Sequence, residues 1–435
     1  MRVVVLAAGE GVRLQPLTFT RPKHMISVGG KPVLEHCLDA VKACGISDVT
    51  IVVHYMADVI RRYFGSGEKF GLNIDYVEQP SVLGTGNAVS VVKPFVDEPF
   101  ALVYGDLLFT PEALRKVLLL HDAKKPAATL AVVPVEKPEE YGIVELENGG
   151  KLKRIVEKPG KGEVFSNMAN AGLYVFSTEI FEKTEMITVS SRGEWEITDA
   201  IGLMVREGRP VLAAEILRSE WFDIGRPWDL LEANRWVLTR MQHKMLGCVE
   251  ADAHIIGPVT VAETALIRSG AYIEGPAYIG ENSDIGPNCY IRPYTSIGRK
   301  VRIGNACEIK NSIIMDNVHI GHLSYVGDSI IGENCNLGAG SMTANYRLDS
   351  GTVKVTIKDK LVDSGRTKLG AVLGDNVKTG VNALFMPGVK VGNNCWVGPN
   401  VIVYTDLQAD TAVFLQQKLE EKSRADFETP SCKNS

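Results

Sequence analysis

Residues 273–303 read IEGPAYIGENSDIGPNCYIRPYTSIGRKVRI, with isoleucine at every sixth position: Ile273, Ile279, Ile285, Ile291, Ile297 and Ile303. The same step runs outward in both directions. Val249, Ile255, Val261 and Ile267 precede the stretch, and Ile309 follows it. Four residues after each aliphatic position stands a mostly small one, among them Ala253, Ala265, Ala271, Ala277, Ser283, Cys289, Thr295 and Cys307. Glycine often comes directly after the aliphatic residue, as at Gly280, Gly286, Gly298 and Gly304. A run of this length is the hexapeptide pattern of a parallel β-helix, whose stacked coils bury one continuous aliphatic column. Cys289, Cys307, Cys335 and Cys395 all fall on the small inward position. Packing, not reactivity, is therefore expected of these thiols.

Downstream the frame shifts, first through Ile314, Ile320 and Val326, then through Ile331 and Leu337. It lapses between Ser341 and Leu369 and resumes at Leu373, Thr379, Phe385, Val391, Val397 and Val403. A segment that abandons the period predicts a functional loop leaving the body. Residues 407–435 carry a short helical pattern ending in polar sequence expected to fray. Upstream the pattern is different. Residues 2–7, 49–54, 73–77 and 100–104 read as strands, separated by helical patterns over 33–42, 57–64 and 111–121. This alternation predicts an α/β unit, a mostly parallel sheet with helices on both faces. Ligands of such sheets bind beyond the carboxyl ends of the strands. Leu230, Leu231, Asn234, Val237, Leu238, Met241 and Met245 lie near helical spacing and predict an amphipathic connector. The expected units are residues 1–225, a connecting helix over 226–247, a β-helix over 248–406 and a tail over 407–435.

The length of 435 residues agrees with roughly two or three domains. Lys and Arg number 47 against 52 Asp and Glu, for a net charge of −5. No whole-molecule basic field exists, which argues against sequence-neutral binding to nucleic acid or to an anionic membrane. The opening MRVVVLAAGEG breaks at glycines too early for a signal peptide, and no apolar window reaches the roughly 18 residues of a membrane span. A soluble, cytoplasmic protein is expected. The eight cysteines include no CxxC pair, and free thiols are expected of them.

LAAGEGVRLQPLT, residues 6–18, follows the first strand. Gly9 and Gly11 let backbone N–H groups approach a phosphate chain. Arg13 and Lys23 add fixed positive charge. The spacing matches neither the GxGxxG fingerprint nor a Walker loop. The longer phrase LAAGEGVRLQPLT, then RPK at 21–23 and GKP at 30–32, resembles the signature of sugar-1-phosphate nucleotidylyltransferases. Gln79, the LGTG turn at 83–86, YGD at 104–106, EKP at 157–159, NAG at 170–172 and WFDIG at 221–225 follow in that family's order. The resemblance implies a Rossmann-like domain in which Ala8, Gly9, Gly11, Gln79, Gly84, Thr85 and Asp106 bind the nucleotide. It makes Arg13 and Lys23 catalytic, gives Mg²⁺ to Asp106 and Asp223, and places the sugar phosphate against Gly142, Glu157, Lys158 and Asn170. A Gln amide is complementary to the O4 and N3–H edge of uracil or thymine, so UTP or dTTP is the expected nucleotide. Taken singly, Asp106 or Asp223 would serve as well as a strand-end cap, and Lys158 as a solvated lysine before a proline.

In the second half, HLSYVGD at 322–328, NLGAG at 336–340 and TANY at 343–346 resemble the acetyltransferase half of the two-headed enzyme that makes UDP-N-acetylglucosamine. The resemblance implies a left-handed β-helix that acetylates glucosamine-1-phosphate from acetyl-CoA, with His322 as general base. Arg292 and Lys310 would hold the sugar phosphate; Tyr325, Asn336 and Asn345 would contact sugar or acetyl group. The Ala339 N–H would face the acetyl oxygen. Residues 347–367 depart from the bacterial pattern and are similar to the archaeal type, leaving Lys368 as candidate for a downstream lysine. His319 and His322 lie three apart, which on a strand predicts opposite faces and no shared metal. Such β-helices resemble three-sided prisms packed about a threefold axis, so a homotrimer acting on small molecules is expected. Two alternatives stand beside this reading. One is a single-activity thymidylyl- or uridylyltransferase with a purely structural β-helix, against which His322 and Asn345 argue. The other is a regulatory subunit sharing both folds, against which Gly9, Arg13, Lys23 and Asp106 argue.

Overall fold

The computed structural model describes residues 1–160 and 162–424. Its amino-terminal half is built on a nine-stranded sheet. Strand Val3–Ala7 lies inside it, parallel to Asp48–Val53 on one side and to Phe100–Tyr104 on the other, with Asn73–Glu78 closing that edge in parallel. Alternation along the central strand divides the core in two. Val3, Val5 and Ala7 pack with residues of helices Val33–Ala43, Ala57–Phe64 and Pro111–Lys124. Val4, Leu6 and Ala8 pack instead with residues of Thr85–Ser90, Glu179–Met186 and Ile197–Arg206. Helices thus cover both faces, as expected, and the fold is Rossmann-like.

The sheet is mixed, however, not mostly parallel. Met168–Phe176 runs antiparallel to Phe100–Tyr104, Ala128–Pro134 and Gly142–Leu146, and Leu152–Glu157 runs antiparallel to Gly142–Leu146. Connection length explains the last pair. The turn from Leu146 to Leu152 passes through Gly149 and Gly150, both at positive φ, and is far shorter than the dozen or so residues a parallel crossover needs.

Helix Pro227–Leu238 ends well before the expected limit of the connector. The chain is captured by the stack: His243 Nδ1 accepts from the Val259 N–H at 3.0 Å, and Lys244 and Met245 pair with Thr260 and Val261. The β-helix therefore begins before residue 248. Three parallel sheets of 8, 9 and 8 strands form its sides as a left-handed prism. The isoleucine column lies at its axis, with Ile273, Ile279, Ile285, Ile291, Ile297 and Ile303 all buried. Cys289, Cys307, Cys335 and Cys395 pack in the same cluster. Most coils step by 18 residues, as from Ile267 to Ile285 and on to Ile303. Ile297 pairs with Ile314 and Ile314 with Ile331, a step of 17. Each of these two coils lacks one residue at the same corner, 310–312 and 327–329, and that deletion is the frame shift seen in the sequence.

The lapse in the rhythm is a hairpin, Lys354–Ile357 and Lys360–Asp363, closed at its base by a bridge between Tyr346 and Lys368. Around it Ile331 pairs with Leu373, a step of 42, and the stack continues. It also outlasts residue 406: Ala412 and Val413 pair with Trp396 and Val397. Residues 414–423 form no helix, contrary to the pattern read there, and the remainder of that pattern lies outside the described residues.

The two halves are locked together. Asn234 on the connecting helix is fully buried; its Oδ1 accepts from the Gly29 N–H at 2.8 Å and its Nδ2 donates to the Tyr294 carbonyl at 2.9 Å. Gly30, at φ +85°, sits so close to the Tyr278 ring that a Cβ there would lie 2.2 Å from it. Arg21 crosses the junction to ion-pair with Glu333 and Asp375. An apolar cluster completes the seam, joining Leu14, Leu17, Val28, Leu108, Ile224 and Trp228 to Ile313, Ile330 and the hairpin residues Val353, Val355 and Ile357.

Candidate active sites

A cavity of about 530 Å³ opens beyond the carboxyl ends of Val3–Ala7 and Phe100–Tyr104. Ala8, Gly9, Arg13, Lys23, Gln79, Gly84, Thr85, Asp106, Gly142, Glu157, Lys158, Asn170 and Asp223 all line it. Gly11 stands behind that wall: at φ +71°, its Cβ would fall 2.7 Å from Lys23 Cβ, so it shapes the loop beneath the lysine. Gly84, at φ +112°, has the Trp195 carbonyl 2.5 Å from where a Cβ would stand, and only glycine fits there. Gln79 is buried, and its amide N–H groups are engaged by Asn87 Oδ1 at 2.8 Å and, more weakly, by the Gly84 carbonyl at 3.4 Å. Its carbonyl oxygen is left to accept. An imino N3–H, present in both uracil and thymine, suits that acceptor.

Two charge clusters occupy this cavity. Lys23 ion-pairs with Asp106. Burial alone would raise the Asp106 carboxyl, but Lys23 and then His24 outweigh it and hold the group below the usual carboxylate range. Asp223 goes the other way, to about 6, through burial and then the charge of Asp106. A carboxylate pushed upward beside another buried acid is relieved by a cation. Two oxygen donors with room for water and phosphate oxygens make a set that fits a hard divalent ion. Among the described residues no three metal-ligating side chains gather anywhere.

In the second cluster, Arg192 donates to Glu196 at 2.8 Å and ion-pairs with Glu157 at 3.4 Å. Burial and then Glu157 raise Glu196 to about 7. Burial likewise raises Glu157, against the pull of Lys158 and Arg192. Asn170 donates to the Tyr174 hydroxyl at 2.6 Å and accepts from the Gly172 N–H at 3.3 Å. Arg192, Glu194 and Glu196 were not anticipated. The charge-rich stretch SRGEWE at 191–196 was their only local sign, and its backbone ties to Leu83 and Gly86 carry it to the nucleotide loop.

A second cavity, of about 520 Å³, lies on the β-helix against the connecting helix. Arg292, Lys310, Asn311 and Asp328 line it from the stack, Arg235 from the helix, and Arg366, Thr367 and Lys368 from the return of the hairpin. Lys310 pairs with Asp328 at 3.3 Å, and Arg292 with Glu308 at 2.8 Å. Asn345 Nδ2 bonds both Asp328 and the Tyr325 hydroxyl, the latter at 3.1 Å. Lys310, Asn311 and Asp328 stand on the two shortened corners, so the loss of rhythm in the sequence marks the wall of this cavity. Lys368, the candidate for the downstream lysine, is in it; Arg235 and Arg366 were missed.

His322, Asn336 and Ala339 lie apart from that cavity. His322 and Asn336 stand on strands of one side of the prism, where both are exposed. His319 and His322 lie on one strand, His319–His322, and both are exposed while Ile320 and Gly321 between them are buried.

The chain matches a nucleotidyl transferase family model over residues 2–240, a GMPPB C-terminal domain model over 273–385 and a hexapeptide repeat of succinyl-transferase over 370–405. It is 42% identical to the bifunctional protein GlmU of Methanocaldococcus jannaschii over 96% of this chain and 98% of that one. Its identity to the bifunctional protein GlmU of Methanococcus maripaludis is 45% at the same coverage. A bifunctional sugar-1-phosphate nucleotidylyltransferase/acetyltransferase of Sulfurisphaera tokodaii is 42% identical over 94% of this chain and 98% of its own. The chain belongs to this bifunctional GlmU family. It is a two-site transferase, with a nucleotidyltransferase half and a hexapeptide acetyltransferase half. In GlmU terms the division of the RPK tripeptide is notable: Lys23 enters the nucleotidyltransferase cavity, while Arg21 turns away to clamp the acetyltransferase half.

Proposed function

We propose that this GlmU-family enzyme acetylates glucosamine-1-phosphate with acetyl-CoA on its β-helix and then couples the N-acetyl sugar phosphate to UTP or dTTP in its amino-terminal cavity, releasing pyrophosphate. One observation carries the second step. One cavity is lined both by Gly9, Arg13, Lys23, Asp106 and Asp223, groups suited to phosphates, and by Glu157, Lys158 and Asn170, groups suited to a sugar phosphate. The sugar phosphate oxygen is already ionised near neutrality and attacks the α-phosphorus in line; no protein base is needed. Arg13 and Lys23 stabilise the spreading charge while the cavity fixes the approach. Asp106 and Asp223 would hold Mg²⁺, which supplies further charge neutralisation at the phosphates when bound.

On the β-helix, Arg292 and Lys310 bind the sugar phosphate, and His322 takes a proton from the amine so that nitrogen can attack the thioester. His322 and Asn336 are exposed, and neither they nor Ala339 line the cationic cavity. That separation supports a homotrimer in which a neighbouring prism encloses each acetyl site. The described cysteines are all free, which suits a reducing cytoplasm. No helix among the described residues is long and apolar enough to cross a membrane. The test is a matrix of UTP, dTTP, GTP and ATP against glucose-, glucosamine- and N-acetylglucosamine-1-phosphate, with and without acetyl-CoA, reading pyrophosphate and CoA release. Pyrophosphate with no CoA release from any amino sugar would leave the β-helix structural and overturn the first step.

A further inference from the structure

The hairpin that interrupts the β-helix reaches the other active site. Its two strands pair Ile357 with Lys360 across a two-residue turn, Lys358 and Asp359, with both residues in the left-handed region at φ +48° and +59°. That is the primed turn that matches the twist of a tight hairpin. One edge, Val353, Val355 and Ile357, is buried in the seam against Leu108 and Ile224. Leu108 lies on the strand that follows Asp106, and Ile224 follows Asp223 directly. The hairpin is thus anchored beside the strands that carry the two cavity carboxylates, and its tip lines the same cavity. Lys358 lines the nucleotidyltransferase cavity together with Glu140, Tyr141 and Lys158. Farther down the same hairpin, Asp363 feels the charge of Lys137, just upstream of Glu140. Among the described residues no carboxylate ion-pairs with Lys358, whose side chain is exposed to the cavity mouth.

A turn lysine on a solvated surface would need no explanation. This one is held by a buried apolar edge, on the wall of a cavity that takes doubly charged phosphates, and its hairpin runs near Lys137, upstream of Gly142. We infer that Lys358, a residue of the acetyltransferase half, is a substrate-binding cation of the nucleotidyltransferase site that recognises the sugar-1-phosphate. The inference rests on the proposed nucleotidyl transfer and adds a ligand contact that crosses the junction. The same insert lines the second cavity through Arg366 and Lys368, so one excursion from the β-helix furnishes both sites.

Lys358→Asn keeps a residue that tolerates the left-handed turn and removes the charge. At saturating nucleotide, its KM for the sugar-1-phosphate should rise about tenfold, the range of one charge-assisted hydrogen bond. Its KM for the nucleotide and its CoA release should stay within twofold of the parent enzyme. Lys358→Arg should recover most of the affinity. Raising the salt concentration should weaken sugar-phosphate binding less steeply in Lys358→Asn than in the parent. An unchanged sugar-phosphate KM overturns the inference. So does a rise in the nucleotide KM instead, or an equal loss of CoA release, which would mark a displaced hairpin. Calorimetric binding of N-acetylglucosamine-1-phosphate to the full chain reads the same contact without turnover. Binding that depends on Lys358 without pyrophosphate release would count against the proposed reaction alone, whereas pyrophosphate release indifferent to Lys358 would count against this inference alone.

Discussion

Replacing Arg21 with Met should loosen the junction between the halves while leaving each half folded. Arg21 is 8% exposed and stands between Asp375, whose side chain is 5% exposed, and Glu333, at 36%. The Glu333 pair is open to solvent and contributes little. The Asp375 pair is buried, and removing one partner of a buried pair typically destabilises by about 3–5 kcal/mol. Asp375 would keep two donors, Thr20 Oγ1 at 2.5 Å and the Glu333 N–H at 2.7 Å, which places the loss near the lower end, about 3 kcal/mol. Met preserves most of the packing volume, so no large cavity term is added. About 3 kcal/mol is roughly two decades in an opening equilibrium. Amide hydrogen exchange can read it locally. The Gly29 N–H, which donates to Asn234 across the seam, should exchange about 100-fold faster, while amides of Val3–Ala7 hold their rate. In Arg21→Met/Asp375→Asn the buried charge is gone as well, and more than half of the protection should return. A change below threefold at Gly29, or no recovery in the double variant, refutes the reasoning.

Asp106→Asn removes one hard oxygen donor and should lower pyrophosphate release by at least about 100-fold, with CoA release within twofold of the parent on the same preparation. His322→Ala should lower CoA release by about 10²- to 10⁴-fold and spare pyrophosphate release from pre-acetylated substrate; equal losses in both assays would reject a base role. Glu196, raised to about 7 by burial and then by Glu157, should make the amino-terminal half less stable as the pH climbs. The sign follows from the proton being held more tightly in the folded state: the contribution is complete below about 4.5 and is lost as pH rises through about 7, at most about 3 kcal/mol. Urea midpoints at pH 5 and 7.5 should therefore differ more in the parent than in Glu196→Gln, and parallel behaviour would contradict the assignment.

Much of this architecture was legible because local sequence and tertiary structure agree. The isoleucine step specified the stack, since each inward residue repeats the same burial requirement. The glycine loop specified the first cavity because its residues are neighbours in the chain. What escaped is what depends on distant partners. Arg21 and Lys23 are two residues apart and chemically alike; only the docking of the β-helix decides which of them faces substrate. Lys358 stands more than 250 residues from Asp106, with no pattern linking them. The helical reading through Met245 failed because the first coil offers that segment backbone partners a free helix could not match. The hairpin at Asn148, Gly149 and Gly150 did carry a signal, a glycine-rich turn between apolar runs, whose consequence is the antiparallel part of the sheet.

The step of 42 between Ile331 and Leu373 also bears on how the solenoid assembles during folding. Coils of such a stack condense onto one another in sequence, each templated by the one before. Bringing Leu373 onto Ile331 closes a loop longer than the usual 18-residue step, but closure entropy grows only with the logarithm of length, so the added barrier is about 0.7 kcal/mol. The rungs beyond the hairpin can therefore zip onto the stack before the hairpin has any structure. Its apolar edge would then find Leu108 and Ile224 only once the amino-terminal half is in place, making completion of the shared seam the closing event of folding.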